Sequence, residues 1–271
     1  MTEPAFVKSI RKLFVPYMLR PLALCGILAL DNYRKLAAFK GKHNGRRCFI
    51  IGNGPSLEIK DLERLENEIT FASNKIYLAF DQTQWRPTYY SAVDKLIINR
   101  EYKKLNELNK ITTFFPYFFQ KYDVHFDNSI YFYFIHKEFY PDLPLFGINP
   151  IYRLFSGHTV TYILLQLAVY MGIKEIYLIG VDYCYNIYQQ DYSDNEKILV
   201  SDGTVSHFHP EYVKSGDKVF QPNLHLHEKA YISAGHALEK SGGRIFNATR
   251  GGKLDLFPRV DFDKIIYAGG K

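Results

Sequence analysis

The chain has 271 residues, 47% of them apolar and 23% charged, with a formal net charge of +6, which allows one large domain with a full core and a small lid. The modest positive charge suits an anionic substrate or a membrane surface, but no block of basic residues forms a stripe for nucleic acid. Cys25, Cys48 and Cys184 are scattered, with no CxxC pair and no zinc spacing, which excludes a disulfide framework and fits a reducing, cytoplasmic compartment.

Residues 1–45 read as an N-terminal extension. Leu13 to Leu30 is apolar but broken by Pro16, Arg20 and Pro21, short of the roughly 20 apolar residues of a spanning helix. No small-residue cleavage site accompanies it, so a secretory signal is not expected. Lys8, Arg11, Lys12 and Arg20 beside Phe14, Tyr17, Leu19 and Leu22 fit an amphipathic helix. Such a helix would lie at the inner face of a membrane, or pack on the parent domain or a partner subunit.

From Arg47 short apolar runs alternate with helical stretches, the pattern of a parallel sheet covered on both faces. This gives an α/β domain over 46–263, with a tail at 264–271. Cys48 to Ile51 reads as a buried first strand ending in Gly52-Asn53-Gly54-Pro55-Ser56. Asp61 to Glu66 follows as a short helix, Ile69 to Ala72 as a second strand and Thr88 to Val93 as a third. A polar helix runs from Lys95 to about Leu108, and Ile111 to Phe115 and Ser129 to Phe134 are further strands. Lys137 to Phe155, rich in Pro, Gly and aromatics, reads as irregular. Gly157 to Met171 is an apolar helix capped by Ser156, and Glu175 to Ile179 a strand closed by Gly180 to Asp182. Tyr183 to Phe220 shows no period and is long for a loop, as lids are. Leu224 to Lys240 is the last helix and Arg244 to Phe246 the last strand.

The glycine turn is the sharpest local signal. Glycines after a buried strand let backbone N–H groups approach an anion, helped by the positive end of the next helix; Asn53 adds an amide, and Ser56 a cap. Neither the dinucleotide fingerprint nor the Walker pattern is present. Asn74, Asp94 and Asp182 close other strands at the same edge, where ligands of open α/β sheets sit. Arg153 beside a helix start at Ser156-Gly157 suits a phosphate or carboxylate. In the long loop, His207 and His209 are candidate general bases. A third ligand at zinc spacing is missing, so no metal is expected. His225 and His227 read as surface groups at a helix start. With 22 Tyr and 21 Phe, aromatics are abundant, fit either for a core or for stacking sugars and bases.

The order Phe49-Ile50-Ile51-Gly52-Asn53-Gly54-Pro55-Ser56-Leu57, Ser73-Asn74, Arg153 with Ser156-Gly157, Lys174 to Asp182 and Ser206-His207-Phe208 resembles bacterial sialyltransferases of glycosyltransferase family 42. It is at least as similar to the wider group with an MptE-like (motility-accessory-factor) domain. The resemblance spans roughly Arg47 to Asn247. It implies a single Rossmann-like domain with a lid over about 183–220 and a CMP-linked nonulosonic acid as donor. An inverting, metal-independent transfer to a hydroxyl of a surface glycan or glycoprotein would follow, with no cofactor and no nucleic-acid partner; a homo-oligomer is compatible with it. By position, Gly52, Asn53, Gly54 and Ser56 fall in the donor turn. Asn74, Ser156 and Gly157 would hold the donor, with Asp182 beside them. Asp94 stands where the family has Asn, and Arg153 is the arginine of the catalytic site. Two family tyrosines contact the leaving phosphate. The first position reads Cys184 here, flanked by Tyr183 and Tyr185, and Tyr188 or Tyr192 would supply the second. The catalytic histidine corresponds to His207 or His209.

Two other activities fit the same residues. A diphosphokinase using ATP and Mg²⁺ would exploit Asp94 and Asp182. A non-catalytic nucleotide-binding subunit of a polysaccharide assembly would use the cleft for binding alone.

Overall fold

A computed structural model describes residues 31–117, 126, 129–136, 142–184 and 198–268. Its centre is a seven-stranded, all-parallel sheet. In chain order the strands are β1 (Arg47–Ile51), β2 (Thr70–Ser73), β3 (Tyr89–Ser91), β4 (Thr112–Pro116), β5 (Ile130–Phe132), β8 (Glu175–Ile179) and β11 (Arg244–Asn247). They lie in the order β11-β8-β1-β2-β3-β4-β5. Two small pairs complete the set: β6 (Phe134–Ile135) with β7 (Leu154–Phe155), and β9 (Ile198–Val200) with β10 (Lys218–Phe220).

The strands are mostly apolar in their middles because both faces are buried. In β1, Cys48 and Ile50 point into one core, and Phe49 and Ile51 into the other. The first core lies under α4 (Val160–Tyr170) and α5 (Leu224–Lys240). The second is covered by α2 (Ile59–Glu63), a 3-10 segment (Asn74–Ala79), α3 (Lys95–Asn106) and α6 (Phe262–Ala268). α4 is buried on nearly all sides, so its apolar sequence lacks a polar stripe.

Several elements depart from the sequence reading. Tyr133 divides the run ending at Phe134, so β5 stays in the main sheet and β6 pairs with β7. The segment read as irregular thus contains a strand. Gln166, fully buried on α4, holds it: its Oε1 accepts from Gly147 N (2.7 Å) and Phe155 N (3.0 Å). Its Nε2 donates to Phe155 O (2.8 Å) and Tyr162 O (3.0 Å). The long loop closes on the β9–β10 hairpin. The proposed tail is helical to Ala268.

Residues 31–45, read as part of the extension, pack on the domain. α1 (Asp31–Ala38) buries Leu36. Asn32 pairs with the backbone of Tyr131 in β5 through both amide atoms (2.8 and 2.6 Å), so α1 covers an edge strand. The amphipathic stretch of residues 1–30 lies outside the described residues. No described helix is long and apolar enough to cross a membrane.

Candidate active site at the carboxyl edge of the sheet

The chain leaves β1 toward β2 and leaves β8 toward β11. Their carboxyl ends therefore diverge at the switch point, where open α/β sheets form their crevice. A cleft of about 1140 Å³ opens there.

The glycine turn forms one wall, for a reason different from the one its sequence suggested. Gly52 N donates to Ile179 O (2.8 Å) and Gly54 N to Gly180 O (2.9 Å). A β-carbon on Gly52 would lie 2.2 Å from Gly180 O, and one on Gly54 1.8 Å from Asp182 Oδ2. Both glycines are dictated by the approach of the β8 end, and their N–H groups are already used. Ser56 does not cap α2, whose cap position is Glu58. Its hydroxyl donates to Asp182 Oδ2 (2.8 Å), clasping the two strand ends together outside the cleft lining. Gly52, Asn53, Gly54 and Asp182 do line it.

What the cleft offers a ligand is a set of uncommitted polar atoms. Asn53 Oδ1, Asn74 Oδ1, Ser156 Oγ and Gln221 Oε1 are buried without a hydrogen-bond partner among the described residues, and all four side chains belong to cleft-lining residues. A buried group left so costs about 1–3 kcal/mol, so four together call for a hydrogen-bonding occupant. The backbone shows strain at the same place. Asn74 (φ 52°), His158 (φ 59°) and Tyr183 (φ 53°) are the non-glycine residues with positive φ among the described ones, and each lines the cleft. Such strain concentrates at ligand sites.

The loop between β9 and β10 carries His207. Its ring stacks on Tyr212 (centroids 3.8 Å, 9°), and Nδ1 lies 2.9 Å from Ser206 Oγ. Burial, reinforced by the charge of Lys75, lowers its pKa from the ordinary 6.5 to about 4, so the imidazole is neutral at pH 7. Phe208 N donates to Asn53 O (3.1 Å), tying this loop to the glycine turn. His209, the other candidate base, does not line the cleft; its Nδ1 accepts from Glu211 N (3.2 Å). Arg153 is also outside: it is exposed, with its guanidinium 5.8 Å over the Phe155 ring.

Three helices begin at the cleft. Asp94 caps α3 through Leu96 N (2.8 Å) and Ile97 N (3.2 Å); burial raises its pKa against these bonds. Burial likewise raises that of Asp182, against the bond from Ser56. α4 begins at Val160 with Thr159 as its cap, so Ser156 is not the cap and its hydroxyl stays available. Gly157 is not in the lining; its φ of +49° and the Tyr162 ring, 2.4 Å from a built β-carbon, explain the glycine. α5 is capped by Asn223. Neither α4 nor α5 has an acidic residue in its first turn, so both present positive ends to the cleft.

Other lining residues were not legible in sequence. His227, read as a surface group, is 5% exposed and lines the cleft. Its pKa falls to about 4 through burial, against a bond to the backbone of His158. His158 meets His136 edge-on (5.1 Å). Tyr183 donates its hydroxyl to Leu224 O (2.7 Å) and lines the cleft with Cys184. Tyr185, Tyr188 and Tyr192 fall outside the described residues. No group of three or more His, Cys, Asp or Glu among the described residues is placed to hold a metal ion.

The family described as 6-hydroxymethylpterin diphosphokinase MptE-like matches residues 27–187, more than half of the chain. No curated protein matches it. The MAf glycosyltransferase from Magnetospirillum magneticum AMB-1 aligns with a TM-score of 0.50 at 17% identity, over 86% of this chain and 38% of that one. The chain therefore spans well under half the length of that structure, and the likeness is one of fold. The sialyltransferase CstII from Campylobacter jejuni, in complex with the substrate analogue CMP-3FNeuAc, aligns with a TM-score of 0.41 at 15% identity, over 79% of this chain and 86% of that one. That second likeness is too loose to carry an inference.

Proposed function

The chain belongs to the MptE-like family, and we propose that it is a glycosyltransferase taking a CMP-activated acidic sugar as donor and a hydroxyl of a surface glycan or glycoprotein as acceptor. The observation that carries this reading is the set of buried, uncommitted amide oxygens of Asn53, Asn74 and Gln221 and the Ser156 hydroxyl, in a cleft that is also lined by a neutral His207. Uncharged acceptors with one hydroxyl suit the hydroxyls of a ribose and a sugar and the amino edge of a base. The glycosyltransferase-like fold and the motif order shared with family 42 support the same class.

In the proposed reaction the acceptor hydroxyl attacks the anomeric carbon from the face opposite the nucleotide. The neutral imidazole of His207 takes the hydroxyl proton as the new C–O bond forms, and the bond to the CMP phosphate breaks. The positive ends of α4 and α5, with Lys218 and Arg100 at the cleft, offset the charge on the departing phosphate. A positioned base contributes about 10²–10⁴-fold when its pKa lies near the working pH; at about 4 the His207 imidazole is unprotonated but weaker as a base, so the low end of that range is expected.

The family description favours a second reading, pyrophosphate transfer from ATP, in which Asp94 and Asp182 would help to hold Mg²⁺ through its waters and the phosphates. Thermal unfolding with CMP, a CMP-activated acidic sugar and ATP, each with EDTA or Mg²⁺, separates the two. Stabilisation by CMP that survives EDTA and is lost in Asn53→Ala is expected. Stabilisation by ATP with Mg²⁺ alone would transfer the assignment to the diphosphokinase.

A further inference from the structure

Lys75 is 5% exposed, deep for an ammonium group. It sits just after the β2 strand end, and its Nζ donates to the main-chain carbonyls of Glu211 (3.2 Å) and Tyr212 (2.8 Å) in the loop between β9 and β10. The same atom lies 3.2 Å from Glu101 on α3 and 5.8 Å from the Tyr212 ring centroid. Tyr212 in turn stacks on His207 and takes a hydrogen bond from the Asn74 side chain. Arg100, beside Glu101, reaches Asp217 (3.2 Å) at the foot of β10. Arg100 of α3 thus holds the far end of the segment that carries His207, and Lys75, paired with Glu101, holds the segment at Glu211 and Tyr212.

We propose that Lys75 is a positioning residue for His207: it clamps the loop through two main-chain carbonyls, one of them that of Tyr212 on whose ring the imidazole stacks, and its charge acts on that imidazole. A merely structural clamp needs no charge, since a neutral amide serves two carbonyls as well. The charge matters because Lys75 opposes protonation of His207, second only to burial. The other charged or titratable groups around this loop are Glu101 and Arg100 of α3, Asp94 at the start of α3, Asp217, and Glu211, Lys214 and His209 of the loop itself. Tyr212 stays neutral, its hydroxyl held well above the usual range by burial.

The signs of two substitutions separate field from clamp. Lys75→Gln removes the charge but keeps donors for the carbonyls, so the His207 titration should rise by about half to one unit. Glu101→Gln leaves the Lys75 charge without its counter-charge, so His207 should not rise. A clamp without a field predicts that Lys75→Gln, which keeps the donors, leaves the titration where it is, and that Glu101→Gln, which frees Lys75 from its partner, loosens the loop and lets the titration climb toward the ordinary value. Nitrogen-15 NMR of the histidine rings, with His207 assigned by the missing signal of His207→Gln, reads the two cases on the folded full chain. Lys75→Arg, which keeps the charge, should hold His207 in place and serves if Lys75→Gln does not fold. A rise in Lys75→Arg or Glu101→Gln, or no change in Lys75→Gln, overturns the proposal. The kinetic arm rests on the transfer reaction proposed above: the acid limb of kcat/KM should move with the titration in Lys75→Gln. If the ring titration moves and the limb does not, His207 is not the base while the role of Lys75 stands.

Discussion

Replacing Gly52 by alanine would place a methyl carbon 2.2 Å from the carbonyl oxygen of Gly180 and 2.7 Å from its carbonyl carbon. Both atoms are backbone of the β8 end, so no side chain can turn aside. The strand ends must part, which loses the bond from Gly52 N to Ile179 O (2.8 Å). One net backbone hydrogen bond is worth about 0.5–1.5 kcal/mol, and overpacking a close contact costs about 1–3 kcal/mol more. A loss of about 2–4 kcal/mol follows, or roughly 5–15 °C in Tm for a domain of this size. Gly54→Ala meets mainly the far end of the Asp182 side chain, with the Gly180 carbonyl oxygen grazed at 2.9 Å; the carboxylate can rotate at the expense of its bond to Ser56, so about 1–2 kcal/mol, less than for Gly52→Ala, is expected. Urea unfolding of both variants tests the ranking. Gly52→Ala within about 0.5 kcal/mol of the parent protein, with ligand binding abolished, would refute the packing argument and return the turn to a purely ligand-approach role.

The remaining predictions concern the cleft and its supports. Asn74→Gly relieves a left-handed residue (φ 52°) but removes its bond to Tyr212, so the two effects offset and stability should change by less than about 1 kcal/mol, while affinity for CMP in calorimetry falls at least about tenfold. Gln166→Leu strands the N–H groups of Gly147 and Phe155 and should cost about 2–4 kcal/mol; a denaturation midpoint near that of the parent would contradict it. His207→Ala should lower turnover by about 10²-fold or more and His209→Ala by less than about tenfold, since only the former lines the cleft; equal losses would count against the assignment. Arg250 and Arg64 hold the Asp263 carboxyl well below its usual range. Its contribution is therefore complete above the unfolded carboxyl pKa and lost as pH falls through the folded value. Asp263→Asn should flatten the acid side of a stability–pH curve, and an unaltered acid limb would argue otherwise.

Asp94 separates what sequence could say from what it could not. As a polar residue closing a strand it was legible as part of the sheet's carboxyl edge, because a chain entering a helix there needs a cap. Its partners, Leu96 N and Ile97 N, are local, so the sequence held that information. The parallel sheet was legible for a similar reason: strands buried on both faces are apolar at most positions, and Cys48 to Ile51 form an unbroken apolar run. The start of α4 was misplaced because Ser156 and Thr159 can both cap a helix and serine is locally the better of the two. Gln166, far along the helix, decides between them by drawing Phe155 into a strand.

By itself, then, the amino-acid order determined the alternation of strand and helix, the glycine turn after β1, and the polar residues closing β1, β2, β3 and β8. These follow from periodicity, capping and backbone freedom, which act over a few residues. Only the tertiary structure decided why Gly52 and Gly54 are glycines, since the clashing atoms belong to residues more than 120 positions away. It likewise decided that His227 is buried and His207 half-buried in the cleft while Arg153 stays outside, and that a lysine from β2's end bonds the loop that carries His207. Burial and electrostatic partners depend on which chain segments the sheet order brings together, and that order is not written in any local pattern.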